Sequence, residues 1–127
     1  ALADGLSRET GRRVVVAWGP GEESIAREIV AGGGAEMAPP TDLRELAFVL
    51  RHAGAVVAGD TGPLHVAAAF DTPVVGLFGP TNPARNGPWG QLDRCVESWT
   101  TTRRMDSIEP QAVHDAVLRA LAGPIVR

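Results

Sequence analysis

The stretch Gly54-Ala55-Val56-Val57-Ala58-Gly59-Asp60-Thr61-Gly62-Pro63-Leu64-His65 decides the fold. Gly54 to Ala58 is a short apolar run between small residues, the pattern of a strand buried on both faces. Pro63 suits a first helical turn, and Leu64, Val66 and Ala67 to Ala69 supply helix-compatible apolar positions after it. A strand, a tight turn and a helix start therefore follow one another directly. The unpaired amides of a helix start donate to anions, a hydroxyl at Thr61 adds a donor, and Gly62 permits close backbone approach. Asp60, Thr61, Gly62, Pro63 and Leu64 are the candidate anion-binding stretch. A carboxylate there repels phosphate unless amides, ligand hydroxyls or a cation engage it. The competing reading is that Asp60 or Thr61 merely caps the helix, a role worth about 1 kcal/mol. Taken alone, His65 reads as a structural or boundary residue.

Working outward, Asp71-Thr72-Pro73 closes that helix, Val74 to Phe78 is a second buried strand, and Gly79-Pro80-Thr81-Asn82-Pro83 is the loop beyond it. Parallel neighbours bring both loops to one edge of the sheet, so Thr81 and Asn82 are expected to face Asp60 and Thr61. Upstream, the pattern predicts a helix over Ala1 to Glu9, a strand over Arg13 to Trp18, and a helix over Glu22 to Val30 with Ile25, Ile29 and Val30 inward. A brief strand over Ala35 to Met37 follows, then a helix capped near Thr41 or Asp42 with Leu43, Leu46, Ala47 and Leu50 inward. Downstream, Ala84 to Asp93 reads as a surface loop in which Trp89 either anchors the chain, the favoured reading, or covers a cleft. Arg94 to Glu97 reads as an edge strand, and Glu109-Pro110 starts a helix with Val113, Ala116, Val117, Ala120 and Leu121 packed inward and His114 at their boundary. This alternation predicts an α/β, Rossmann-like, three-layer domain with a mainly parallel sheet.

The chain has 127 residues, enough for one modest domain, and its 44% hydrophobic share with Gly 15 and Pro 10 is that of an ordinary globular module. All 12 basic residues are scattered arginines against a net charge of -3, which argues against a nucleic-acid surface. The apolar runs are far shorter than the ~20 residues of a membrane span. Cys95 stands alone and reads as a small buried residue. Gly19-Pro20-Gly21 lacks the third glycine of a dinucleotide fingerprint because Ser24 takes its place, and a chain without lysine has no phosphate-loop lysine. A lone Asp60 does not make a metal site. The opening on Ala1 leads us to expect a truncated domain rather than a whole gene product.

The ordered segments Trp18-Gly19-Pro20-Gly21-Glu22-Glu23, Gly59 to Ala69, and Pro73 to Pro83 resemble the carboxyl-terminal domain of bacterial lipopolysaccharide heptosyltransferases, glycosyltransferase family 9. The resemblance implies a GT-B enzyme of two Rossmann-like domains in which the second holds the nucleotide-sugar donor. Residues 1–127 would be a partial nucleotide-sugar-binding domain without its amino-terminal acceptor domain. It implies ADP-heptose as donor, lipopolysaccharide inner core as acceptor, inversion at the anomeric carbon, and no cofactor or metal. By the same resemblance, Asp60, Thr61, Gly62, Pro63 and Leu64 meet the diphosphate region and Thr81 and Asn82 complete the pocket. Glu22 or Glu23 meets the ribose; Pro39, Pro40 and Thr41 meet the base through their backbone; His65 braces the helix or touches the donor. No catalytic residue is expected in this stretch, since the acid/base residue lies in the partner domain, and the isolated chain should be inactive. The parent would work in the cytoplasm, associated peripherally with the inner face of the inner membrane. A noncatalytic nucleotide-binding module, or another GT-B nucleotide-sugar transferase or epimerase, is the alternative.

Overall fold

Every strand pairing among the described residues is parallel, as βαβ connections require. The computed structural model describes residues 2–122, which form two units dividing between Leu46 and Ala47.

In the first unit, α1 (Leu2–Thr10) ends where Gly11 turns to φ +68°, with the Thr10 hydroxyl donating to the Leu6 carbonyl at 2.6 Å. Ala1 lies outside the described residues. Strand β1 (Val15–Val16) pairs with β2 (Glu36–Met37), and Trp18 Nε1 donates to the Ala38 carbonyl at 2.8 Å beyond the ladder. The strand expected over Arg13 to Trp18 is thus paired over only two residues, because its partner is that short. Between them runs α2 (Glu23–Ala31). Its inward residue is Ala26, 2% exposed, whereas Ile25 and Ile29 stand out at 58% and 47%. The expected isoleucine stripe is therefore wrong: two-residue strands offer a helix little area, and a small side chain gives the closest approach.

Helix α3 (Leu43–His52) starts on a capping box, the Asp42 carboxylate accepting from Glu45 N at 2.8 Å and Glu45 accepting from Asp42 N at 3.0 Å. Leu43, expected in the core, is 78% exposed, and Leu50 is 6% exposed. Burial rises toward the carboxyl end, where the Thr72 hydroxyl donates to the Leu50 carbonyl at 2.8 Å.

The second unit holds β3 (Val56–Gly59), β4 (Val74–Phe78) and β5 (Val96–Glu97) in that spatial order. Val74, Val75 and Phe78 of β4 are fully buried, as are Leu64 and Ala67 of α4 (Gly62–Ala69). Gly76 makes this contact possible, since a Cβ there would lie 2.7 Å from Phe78 Cε1 and 3.2 Å from Leu64 Cδ2. Strand β3 begins two residues later than Gly54, and Val57 is 38% exposed rather than buried on both faces. Among the described residues β3 pairs only with β4, so it lacks the cover of a central strand.

Ala84 to Asp93 is not simply a loop. It contains the end of α5 (Pro83–Asn86) and part of a single 3-10 turn over Leu92–Arg94. Trp89 does not anchor it, being 78% exposed. Gln91, 1% exposed, does: its Oε1 accepts from Val74 N at 2.8 Å and its Nε2 donates to the Thr72 carbonyl at 2.9 Å. A carboxamide matches both backbone groups at the head of β4, which an indole has no acceptor to do. Burial pushes the half-buried Cys95 thiol up to about 11, far from a thiolate nucleophile. Helix α6 (Pro110–Ala122) packs on β4 and β5 through Val113, Ala116, Val117 and Ala120.

Candidate functional site

Gly59 at the end of β3 pairs with Leu77, one residue before the end of β4. The two chains therefore leave the sheet side by side, and Asp60 and the Gly79 to Asn86 loop emerge together. A 3-10 turn over Met105–Ser107 closes in behind them. Gly79 admits it: a Cβ there would sit 2.8 Å from Met105 N, and one at Gly59 would sit 3.7 Å from Met105 Cε.

The Asp60 carboxylate is the centre of the cluster. Oδ1 lies 3.3 Å from His65 Nε2 and Oδ2 accepts from Asn86 Nδ2 at 3.1 Å, and the Thr81 hydroxyl is near enough to help lower the carboxyl's pKa. Partial burial works to raise its pKa, but the hydrogen bonds from Asn86, His65 and Thr81 outweigh it and hold the carboxyl below its usual value. The side chain keeps 24% of its surface exposed, so a ligand can still reach it.

Thr61 is the N-cap residue of α4 in geometry, at φ -140° and ψ 167°, yet its side chain caps nothing. The hydroxyl instead lies 3.4 Å from the Gly59 carbonyl. With Asp60 drawn toward His65 and Asn86, neither residue plays the capping role that the sequence offered as the plain reading. The first turn of α4 also contains no acidic residue, and a Cβ on Gly62 would meet nothing within 4 Å. The positive end of the helix dipole thus faces open space. Pro63 and His65 accompany Gly62 on this first turn, and Leu64 turns inward to the core.

From the second loop, Thr81 stands near enough to Asp60 to help lower its pKa, but the Asn82 side chain accepts from Ala84 N at 3.0 Å and caps α5. The residue that bridges to Asp60 is Asn86, one turn further on, which the sequence reading did not single out. The Asn82-Pro83 pair is an N-cap and N1 signature, and a helical turn read from it would have carried position 86 into view.

The remaining candidates lie in the first unit or at the start of α3. The Glu22 carboxylate accepts from Gly19 N at 2.8 Å and closes its own turn. Glu23 accepts from Arg27 at 2.7 Å along α2. Pro39 and Pro40 are exposed and Thr41 is half-buried in the segment before α3. A depression of about 390 Å³ by β1 and β2 is lined by Arg12, Arg13 and Glu36, Arg13 donating to both Glu36 oxygens at 2.7 and 2.9 Å. Among the described residues no three His, Cys, Asp or Glu side chains gather as metal ligands, and no helix is long and apolar enough to cross a membrane.

The sequence profile of glycosyltransferase family 9 (heptosyltransferase) matches residues 1–114. Lipopolysaccharide heptosyltransferase 1 of Salmonella typhimurium is 40% identical over 89 residues, 68% of this chain and 28% of that protein. The corresponding Pseudomonas aeruginosa protein is 42% identical over 85 residues, 65% of this chain and 24% of its own. Among solved structures, E. coli heptosyltransferase WaaC with ADP superimposes with a TM-score of 0.78 at 29% identity, over 93% of this chain and 37% of that one. The chain is an α/β domain with parallel strands that matches one Rossmann-like domain of the GT-B heptosyltransferase fold, and it spans about a quarter of the curated relatives just named.

Proposed function

Because this chain belongs to glycosyltransferase family 9, the heptosyltransferases, we propose that it is the part of such an enzyme that holds ADP-heptose for transfer to the lipopolysaccharide core. The observation that carries this reading is the bare start of α4: a first turn with no side-chain cap and no acidic residue, and open space above Gly62. A diphosphate accepts hydrogen bonds from those amides and from the Thr61 hydroxyl, and the helix dipole favours its charge. As the bond from the anomeric carbon to the diphosphate breaks, negative charge grows on the leaving oxygen. The same donors then stabilise the transition state more than the ground state. Asp60, held by His65 and Asn86, is kept for the sugar hydroxyls beside the diphosphate. Thr81 and Asn82 border the same opening, and His65 braces Asp60. The acceptor, and the base that takes its proton, belong in this reading to an amino-terminal partner domain of a cytoplasmic parent acting at the inner membrane. Bound WaaC, a relative of the same fold, is a complex with ADP.

Calorimetric titration with ADP and with UDP tests the proposal. The chain should bind ADP in preference to UDP, and Thr61→Ala should weaken ADP at least fivefold while its melting temperature moves by no more than about 2 °C, the expectation for a substitution outside the core. Equal ADP affinity in folded Thr61→Ala would remove the diphosphate from this junction.

A further inference from the structure

We propose that Asn86 is a positioning residue that orients Asp60 toward the sugar of the bound donor, so that this loop distinguishes a nucleoside diphosphate sugar from the bare nucleotide. The inference rests on the donor-binding reading above and goes beyond it. An ionised carboxylate offers about four acceptor sites. His65 Nε2 and Asn86 Nδ2 occupy two around Asp60, which leaves acceptor capacity for a ligand hydroxyl. Asp60 sits one residue before the N-cap of α4, where a loosely held carboxylate is free to turn away from the sugar hydroxyls. Asn86 holds its direction from a separate element. It lies 26 residues away on α5, whose own start is fixed by the Asn82 cap and whose length is one turn. A neutral donor is suited to the task, since it fixes the carboxylate rotamer without cancelling its charge. A sugar diphosphate presents hydroxyls beside the phosphates to the remaining acceptor capacity, and ADP presents none there. Contact between Asn86 and the ligand itself is not required.

Asn86→Ala and Asn86→Asp, each titrated with ADP-heptose and with ADP, separate these effects, and carbon NMR of the Asp60 carboxyl reads the coupling without any ligand. In folded Asn86→Ala, ADP-heptose should bind at least fivefold more weakly, ADP should stay within twofold, and the Asp60 carboxyl should titrate at higher pH than in the parent. In Asn86→Asp, two facing carboxylates should raise that midpoint further. The titratable group facing Asp60 from α4 is His65, while Thr81 and Asn86 are neutral, so a His65→Gln background isolates the Asn86 contribution. An unmoved Asp60 midpoint in Asn86→Ala, or equal losses for ADP-heptose and ADP, overturns the positioning role even when the parent chain binds both ligands. A parent chain that binds neither ligand defeats the donor-binding reading and this inference with it.

Discussion

Helices α3 and α4 begin in opposite ways. At α3 the Asp42 carboxylate accepts from Glu45 N, the Glu45 carboxylate accepts from Asp42 N, and the helix start satisfies itself. At α4 the nearest carboxylate, Asp60, is held by His65 and Asn86, the N-cap hydroxyl of Thr61 does not cap, and the first turn carries no acid. The start of α2 resembles α3 in charge, with Glu22 and Glu23 on the spot. Such ends repel an incoming anion, whereas α4 is left short of an acceptor that a ligand can supply. Leaving out a cap forgoes roughly 1 kcal/mol, a cost that makes sense at a place kept open for binding.

The sharpest way to break the contrast is to give α4 the acid that α3 has. Thr61→Asp keeps an extended N-cap conformation that aspartate tolerates well, and supplies a carboxylate to the amides of the first turn. ADP affinity should fall by tenfold or more, about 1.4 kcal/mol, while the melting temperature holds or rises. Calorimetry paired with thermal denaturation reads both, and undiminished ADP binding in Thr61→Asp would mean that the phosphates sit elsewhere. The converse change, Asp42→Ala, opens α3. It should cost about 1 kcal/mol, near 4 °C in melting temperature, and leave ADP affinity unaltered; a large loss of ADP binding would tie the α3 start to the ligand after all.

Legibility in the sequence follows the range of the forces involved. Val74 to Phe78 read correctly because Pro73 and Gly79 bracket an apolar run, and α3 revealed its start because a capping box lies within four residues. The Asp60 and Thr81 loops came together as expected because parallel neighbours bring their ends to one edge. What failed depended on partners that local pattern does not contain. Ile25, Ile29 and Leu43 have the helical spacing of a core, but the elements beside them leave them exposed. Gln91 and Asn86 are polar residues in a Gly/Pro-rich segment, and their meaning comes from the backbone at Thr72 and Val74 and from the carboxylate of Asp60, 17 to 26 residues away. Trp89 drew attention through size, yet the small carboxamide of Gln91 fastened the loop.

The smallest effect expected is on pH dependence, and it concerns the same carboxylate. Burial pushes the Asp60 pKa up, the donors Asn86, His65 and Thr81 pull it down, and the donors prevail. A carboxyl whose folded pKa lies below its unfolded value, about 4, binds its proton more weakly when folded. Its stabilising contribution is therefore complete above the unfolded pKa and is lost as pH falls through the folded one. Asp60→Asn keeps the shape and one acceptor oxygen but cannot ionise. In a His65→Gln background, which removes the facing imidazole, the melting-temperature difference made by Asp60→Asn should be level from pH 7 to pH 5 and shrink below about pH 4. Asn86→Ala removes one donor and brings the folded pKa closer to the unfolded value, so in that background the shrinkage should be smaller and finish at higher pH. If instead the difference widens as acid is added, the donors do not outweigh burial at Asp60, and the open start of α4 has to be explained without a restrained carboxylate beside it.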